Sequence, residues 1–331
     1  MEIARIIITY VLLIFIIFIS INSSETREEE HMGIAKIGSS DSFLTAYNNV
    51  GNPVWVIEFE TDIKFYELSD LDGNGNKEII IVTMNEGDQP NFLYVLNSNG
   101  DKLWDYDFSK IKNIYNGSSN RFIAWDLIVK DLWNNGTKNI LVSLRNSPYY
   151  ATDLVLFDKS GQILGNYWHP GNIYDIEVID IDKDGINEII CGGVNNDWNS
   201  YNSYYVPVIS VLNPARMDGQ ATPWLGDYPP ASEKQYIVLP KSQIRTRSCA
   251  VKEIWCEDNL LVALLDDDRF FYFDQNMKLV DSSSGISLQD TEINMQNERL
   301  YGIIHLAVSG IVGAIIGLFL PPIFTYLKKK L

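Results

Sequence analysis

The chain has 331 residues and a formal net charge of −17, with 43 acidic against 26 basic side chains. This length is enough for one large domain or two ordinary ones, and the high content of aromatic and β-branched residues predicts a folded protein. Because nucleic-acid binding needs Lys and Arg to neutralise phosphates, the acidic balance argues against a nucleic-acid partner. It fits a surface that collects divalent cations.

The first predicted element is an apolar segment at the N-terminus. The stretch IIITYVLLIFIIFISI runs from Ile6 to Ile21, with Arg5 before it and acidic residues after it. It is short for a membrane span and has no clear cleavage site. A signal anchor and a cleaved signal peptide are therefore both open for residues 1–23. Residues 24–33 would form an acidic stalk.

Residues 34–295 repeat a hairpin pattern that predicts an all-β domain. Each copy is a β-rich run, a polar turn and a second run, and the copies recur at intervals of about 50 to 60 residues. This period is typical of a β-propeller with four-stranded antiparallel blades. The turns are centred on Gly51, Gly100, Gly161, Gly219 and Asn276.

The repeat predicts a five-bladed propeller in which the innermost strand of each blade comes first. The unit from Gly33 to Glu60 has only three strands, and we expect the stretch from Gly285 to Asn294 to supply its missing innermost strand. Such closure would join the first and last blades and remove open sheet edges. Complete units begin near Ile63, Phe122, Ile173 and Cys249.

Two acidic loops follow predicted innermost strands: DLDGNGNKE begins at Asp70 and DIDKDGINE begins at Asp180. Oxygen-bearing side chains alternate along each loop, and Gly stands where a sharp turn needs a positive φ. Calcium takes about six to eight oxygen ligands, so the alternation predicts one calcium ion in each loop. The predicted ligands are Asp70, Asp72, Asn74, the carbonyl of Asn76 and Glu78 in the first loop, and Asp180, Asp182, Asp184, the carbonyl of Ile186 and Glu188 in the second.

Both loops resemble the first part of an EF-hand, but Ile81 and Cys191 stand where an EF-hand needs its bidentate Glu, and the flanking residues favour strands. A strand–loop–strand site of this kind is similar to the FG-GAP or VCBS-type repeats in the propellers of integrin α subunits. The resemblance covers roughly residues 34–283 and implies a calcium-binding propeller. A polar hairpin without metal is the alternative for each loop.

A third loop copy begins at Asp131, where Trp133 and Asn139 replace two of the predicted acidic ligands. This copy keeps the turn and loses the charge, so we expect no metal there. Long polar-aromatic loops also interrupt the repeat, and they predict a binding surface for a protein or glycan partner, with ordinary packing as the alternative. The aromatic residues are Trp198, Tyr201, Tyr204, Trp224 and Tyr228.

A second apolar segment, residues 301–327, is long enough to cross a membrane as a helix and precedes a basic tail at 328–331. The positive-inside rule places this tail in the cytoplasm and the propeller on the extracytoplasmic side of the cell membrane. Small residues on one helix face predict close packing with another membrane helix. They are Ser309, Gly313 and Gly317.

The sequence contains no common nucleophile, zinc-protease or nucleotide-binding motif, and three cysteines cannot build a disulfide framework. The favoured hypothesis is a membrane-tethered, calcium-binding propeller that acts as a binding or scaffold module for a protein or glycan partner. The alternative is an enzyme, or an accessory subunit of one, that acts on surface polysaccharide.

Overall fold

The computed structural model describes residues 34–84, 91–112, 114, 121–146, 151–196, 206–221, 231, 233–239 and 250–283. In this part the protein is all-β, apart from 3-10 helices at Phe108–Lys110 and Pro214–Arg216. None of the helices in these ranges is long and apolar enough to span a membrane. The predicted membrane segments, the acidic stalk, the closing strand and the basic tail lie outside the described residues.

Within the described ranges, twenty strands form five sheets. The first sheet contains β1 (Lys36–Ser40), β2 (Phe43–Tyr47) and β3 (Pro53–Glu58). The second contains β4 (Ile63–Ser69), β5 (Glu78–Thr83), β6 (Phe92–Leu96) and β7 (Lys102–Asp107). The third contains β8 (Phe122–Lys130), β9 (Asn139–Asn146), β10 (Thr152–Phe157), β11 (Ile163–His169) and the short β15 (Gly219–Gln220). The fourth contains β12 (Ile173–Ile179), β13 (Glu188–Asn195), β14 (Val206–Leu212) and β16 (Glu233–Val238). The fifth contains β17 (Val251–Glu257), β18 (Leu260–Leu265), β19 (Phe270–Phe273) and β20 (Leu279–Ser282).

The sheets follow one another along the chain as antiparallel meanders, and the first sheet has three strands, as the sequence predicts. First strands of neighbouring sheets lie close together: β1 contacts β4, β4 contacts β8, and β12 contacts β17. This succession of up-and-down sheets is the blade arrangement of a β-propeller. Predicted unit starts at Ile63, Phe122 and Ile173 agree with the first residues of β4, β8 and β12.

The second strands of the second, third and fourth sheets are buried on both faces because each lies between two other sheets. On β5, Ile79 and Ile81 pack into a core shared with the first sheet, whereas Ile80 and Val82 pack into a core shared with the third. Side chains alternate between the faces of a strand, so an uninterrupted apolar run fills two cores at once. The run EIIIV after the first acidic loop is explained by this position.

One turn recurs in the hairpin that leads into the fourth strand, or into the last strand of the three-stranded first sheet. In the second sheet, Asn97 Oδ1 accepts the N–H groups of Asn99 and Asp101, both at 2.9 Å. Gly100 has φ 87°, which glycine adopts without the strain that a side chain adds. Asn48, Asp158 and Asp274 accept the equivalent pair of N–H groups in the first, third and fifth sheets. In the last of these hairpins, Met277 rather than the predicted Asn276 has the positive φ, 57°.

The predicted hairpin at Gly219 is wrong. Gly219 and Gln220 form β15, which pairs in parallel with Tyr167 and Trp168 of β11 and adds a fifth strand to the third sheet. Gly165 of β11 allows this insertion, since an added Cβ at that position would lie 3.1 Å from the Met217 side chain. The third sheet is therefore not a simple four-stranded antiparallel blade. The fourth strand of the next sheet comes later, as β16.

Candidate metal centre

Three equivalent loops join the first and second strands of the second, third and fourth sheets. Each begins with an Asp whose carboxylate accepts backbone N–H groups of its own loop. Asp70 accepts from Gly73 at 2.8 Å and Gly75 at 2.9 Å. Asp180 accepts from Asp184 and Gly185, both at 2.9 Å, and Asp131 accepts from Asn135 at 3.1 Å and Gly136 at 2.7 Å. The Asp at the first position therefore closes each loop through hydrogen bonds to its backbone.

Burial of the second loop residue fixes each loop to the core. Leu71 and Leu132 are each 1% exposed and Ile181 is 9% exposed. The fourth and sixth residues have positive φ in all three loops, which explains the frequency of Gly and Asn there. The apolar residue and the turn residues together hold the polar side chains between them on the outside of the core.

The three loops are joined edge to edge, and we call residues 70–78, 131–139 and 180–188 the loop rim. The Lys138 N–H donates to the Leu71 carbonyl, and the Asn187 N–H donates to the Leu132 carbonyl, both at 2.8 Å. Between the first two loops the approach is so close that an added Cβ at Gly73 would lie 2.7 Å from the Gly136 oxygen. The rim is therefore one hydrogen-bonded structure that crosses three sheets.

In the Asp70 loop, the structure brings together three of the predicted ligands. Carboxylate oxygens of Asp70, Asp72 and Glu78 all lie within 4.8 Å of one another. The Glu78 Oε2 atom also accepts the Leu71 N–H at 2.9 Å. Hydrogen bonds from the backbone N–H of Gly75, and then from other loop residues, lower the pKa of Asp70. The loop thus holds converging carboxylates, and within the described residues none of them forms an ion pair with Lys or Arg.

The Asp180 loop has the same carboxylate geometry, with oxygens of Asp180, Asp182 and Glu188 within 4.8 Å of one another. It differs because Lys234, on β16, reaches into it. The Lys234 ammonium lies 2.9 Å from Asp182 Oδ2, 3.2 Å from Asp184 Oδ2 and 2.5 Å from Glu188 Oε1. Glu188 has no exposed side-chain surface. A cation from the protein itself therefore lies where the acidic oxygens converge.

The pKa shifts in this loop follow from these contacts. Partial burial lowers the pKa of Lys234, but hydrogen bonds to Glu188, Asp182 and Asp184 outweigh it, so that the net shift is upward. Burial raises the pKa of Glu188, and the Lys234 hydrogen bond opposes this effect. The pKa of Asp184 is lowered by the Ile186 N–H and then by Lys234. The ammonium and the carboxylates therefore stabilise each other in their charged forms.

Sequence reasoning missed Lys234 because it lies 46 residues beyond Glu188, in a strand that was placed wrongly. The predicted seventh positions, Asn76 and Ile186, donate their N–H groups to Asn74 Oδ1 at 2.7 Å and to Asp184 Oδ1 at 2.8 Å. The remaining predicted sites lie outside the described residues. They are the aromatic residues Trp198, Tyr201, Tyr204, Trp224 and Tyr228 and the helix-packing residues Ser309, Gly313 and Gly317.

The side-chain donors are carboxylates and the Asn74 amide in the Asp70 loop and carboxylates alone in the Asp180 loop, and calcium prefers oxygen ligands of these types. The Asp70 loop fits a divalent cation because its acidic charge has no counter-ion among the described residues. The Asp180 loop fits one only if the Lys234 ammonium moves away, because a metal and an ammonium cannot share the same oxygens.

No family model matches the chain, and no curated protein matches it. Among solved structures, a eukaryotic initiation factor is 12% identical with a TM-score of 0.42, over 74% of this chain and 50% of that one. The Dos1 propeller is 10% identical with a TM-score of 0.36, over 73% of this chain and 65% of that one. BamB from Moraxella catarrhalis is 12% identical with a TM-score of 0.29, over 77% of this chain and 74% of that one. The chain spans half to two-thirds of the first two proteins, and likenesses of this size assign no function.

Proposed function

We propose that this protein is a membrane-tethered, extracytoplasmic β-propeller of five blades that binds calcium and serves as a binding or scaffold module for a protein or glycan partner. The observation that supports it best is the loop rim. Two of its three loops each gather three of the predicted acidic side chains within 4.8 Å, on equivalent connections of different sheets. A repeated ligand set on a repeated scaffold is more specific than one isolated acidic turn.

Calcium in this proposal has a structural role. It would neutralise the carboxylates of the Asp70 loop and hold the connection between β4 and β5, next to the hydrogen bonds that join this loop to the Asp131 loop. In the Asp180 loop, Lys234 supplies positive charge in the absence of metal. Calcium therefore competes with a tethered ammonium there, and we expect it to bind the Asp70 loop more tightly.

In this proposal the propeller binds the partner and the apolar terminal segments anchor it to the membrane. The sheets give a rigid frame, and the long connections between strands carry the partner-binding side chains, as is common for loops on rigid scaffolds. The apolar segments at 1–23 and 301–327 would hold the frame at the membrane. Packing between these helices through Ser309, Gly313 and Gly317 belongs to the same proposal.

Calorimetric titration of the full-length, detergent-solubilised protein tests the metal. We expect one calcium site of higher affinity and at most one weaker site, with magnesium binding less well because it demands near-octahedral geometry. Absence of calcium binding at millimolar concentration would overturn the calcium part of the proposal.

Labelling in intact cells tests the topology. A cysteine placed in an exposed position of the propeller, such as Asp62, should react with a membrane-impermeant reagent, and one added after Leu331 should not. The reverse labelling pattern would overturn the orientation, and labelling of both would contradict a cytoplasmic tail.

A further inference from the structure

Four first strands share the same irregularity, at the end remote from the loop rim. Each contains a β-bulge near its start, where one residue has no partner in the neighbouring strand. A bulge redirects a side chain, and bulges are frequent near functional sites. All four unpaired residues are exposed. They are Lys64, Trp125, Tyr174 and Lys252.

Two of these bulge residues flank one guanidinium group. The Arg145 Cζ atom lies 3.4 Å from the ring centroid of Trp125 and 4.8 Å from that of Tyr174. Trp125 is 46% exposed and Tyr174 is 39% exposed, so both rings keep surface open to solvent. We call Trp125, Arg145 and Tyr174 the Arg145 cluster. It joins the third sheet to the fourth, because Arg145 lies on β9 and Tyr174 on β12.

The Arg145 guanidinium has hydrogen-bonding capacity that this part of the protein does not use. A guanidinium carries about five N–H donors, but within the described residues Arg145 donates one hydrogen bond, from Nη2 to the Ile173 carbonyl. Its Nε atom is buried and has no partner among those residues. Burial lowers the pKa of Arg145 to about 10.

Arg145 also forms no ion pair with the acidic side chains that the structure describes. This is unexpected in a chain with 43 acidic residues and a net charge of −17. Arginine pairs strongly with planar carboxylates through two parallel hydrogen bonds. The N–H groups that have no partner among the described residues are therefore complementary to a carboxylate that the described part of the chain does not supply.

We propose that the Arg145 cluster binds a carboxylated saccharide, with a sugar ring against the exposed aromatic surfaces and its carboxylate on the guanidinium. The aromatic faces suit the apolar side of a sugar ring, and the guanidinium suits the acid group. Lys64, at the equivalent bulge of the second sheet, adds positive charge at the same end, whereas Lys252, at the bulge of the fifth, is paired with Glu253 at 3.1 Å. This proposal deepens the proposed function and rests on it, because it names the ligand of the binding module.

The test uses the full-length protein and two matched probes, cellotetraose and the same tetrasaccharide carboxylated at C6. Calorimetry should detect binding of the carboxylated form and at least about tenfold weaker binding of the neutral form. Tyr174→Ala and Arg145→Lys should each weaken binding of the carboxylated form by about tenfold or more. Arg145→Lys keeps the charge and loses the planar donor fork, so it separates specific recognition from attraction by charge.

Tyr66→Ala is the matched control, since Tyr66 lies on the first strand of the second sheet with the same 39% exposure as Tyr174 and no contact with Arg145. It should leave saccharide binding unchanged. If the Arg145 variant fails to fold, Tyr174→Ala carries the test, with melting temperature as the check on folding.

Equal binding of both probes, or unchanged affinity in Tyr174→Ala and Arg145→Lys, would overturn the saccharide proposal. Equally tight binding of a glutamate tetrapeptide would also overturn it, because the aromatic surfaces would then have no part in selection. Calcium titration of the same samples separates the two proposals. If the protein binds calcium but not the saccharide, only the saccharide proposal is overturned. If it binds neither, the proposed function is overturned as well.

Discussion

The Asp70 and Asp180 loops share their turn geometry, but within the described residues only the Asp180 loop has a basic side chain in contact with its carboxylates. Both close through an initial Asp, both gather three carboxylates within 4.8 Å, and both bury their second residue. In the Asp180 loop, the ammonium of Lys234 contacts Asp182, Asp184 and Glu188. The acidic motif thus fixes the positions of the carboxylates, whereas a remote strand decides whether a basic side chain lies among them.

A β-bulge explains how Lys234 reaches the carboxylates of the Asp180 loop. It is the unpaired residue of a bulge on the fourth strand, between Glu233 and Gln235, which pair with Leu212 and Val211. The same bulge occurs on the fourth strand of the second, third and fifth sheets and on the last strand of the first. In those sheets the unpaired residue is an exposed aliphatic side chain. These residues are Val54, Leu103, Leu164 and Val280.

The largest expected effect is the loss of calcium stabilisation in Asp72→Asn. A ligand at about 100 times its dissociation constant stabilises the state it binds by about 2.7 kcal/mol. We expect calcium to raise the melting temperature of the wild type and to raise that of Asp72→Asn much less, because one of three converging carboxylates loses its charge. Thermal unfolding with calcium and with a chelator measures the difference.

Asp62→Asn is the control for this change, because Asp62 is exposed and lies at the opposite end of β4. It should respond to calcium like the wild type. A full calcium response in Asp72→Asn would show that the Asp70 loop is not the tighter site.

The next effect concerns Lys234→Met, which removes the ammonium and keeps an unbranched side chain. Calcium affinity at the Asp180 loop should rise by about tenfold, equivalent to about 1.4 kcal/mol, because the metal no longer competes with a tethered cation. Stability in chelator should fall, since three carboxylates then face each other without a counter-ion. Calorimetry and thermal unfolding measure the two quantities.

Lys183→Met is the matched control for Lys234→Met. Lys183 belongs to the same loop and is exposed, and it forms no ion pair within the described residues. Lys183→Met removes the same positive charge from the loop and leaves the Lys234 ammonium in contact with the carboxylates. If both variants change calcium affinity equally, general charge rather than occupancy by Lys234 controls the loop.

The sequence predicted what depends on local patterns. Runs of β-branched and aromatic residues bounded by Gly and Asn placed β4, β5, β12 and β13, and the hairpin repeat placed the start of β8. The spacing of Asp70, Asp72 and Glu78 predicted that their carboxylates converge. These features depend on strand periodicity and on the turn chemistry of Asp and Gly, both of which act within a few residues.

The errors involve contacts between distant segments. Gly219 resembles the other hairpin glycines, but parallel pairing with β11 places it in the neighbouring sheet. Lys234 is an ordinary residue in its own strand and becomes part of the metal centre only because β16 packs beside the loop. No pattern within the acidic loop signals a residue so far along the chain, since the contact depends on how two sheets fold.

A third prediction introduces a lysine beside the Asp70 loop, at the position equivalent to Lys234. Leu103 of β7 is the bulge residue equivalent to Lys234, and it is 52% exposed. Leu103→Lys should place an ammonium near the Asp70 loop, weaken calcium binding there by about threefold to tenfold and raise stability in chelator. Calorimetry of this variant should show the high-affinity site weakened toward the affinity of the Asp180 loop, and the Asp180 site unchanged.

Leu103→Gln separates charge from loss of the apolar side chain. It should leave calcium affinity close to that of the wild type. Weakening by Gln as large as that by Lys would show that the bulge position acts through packing, and that its distance from the loop differs between the two sheets.

The smallest expected effect is a dependence of stability on alkaline pH that comes from Lys234 at the Asp180 loop. The pKa of Lys234 is raised above its ordinary value of 10.5, because its hydrogen bonds to Glu188, Asp182 and Asp184 outweigh the effect of partial burial. A raised pKa of a cation contributes stability that is fully present below about pH 10.5 and is lost as the pH rises through the higher value of the folded state. The difference in unfolding free energy between wild type and Lys234→Met, measured by denaturant unfolding in chelator, should therefore be constant near neutral pH and shrink at alkaline pH.

On the acid side, the pKa of Asp184 is lowered from 3.8 by the Ile186 N–H and then by Lys234, so its contribution is present above about pH 3.8 and lost as the pH falls through its folded value. Asp70 also has a lowered pKa, through the N–H of Gly75 and other loop donors, and it has no contact with Lys234. The acid dependence due to Asp70 should thus persist in Lys234→Met while the alkaline dependence disappears, and an alkaline dependence that survives in this variant would assign it to a group other than Lys234.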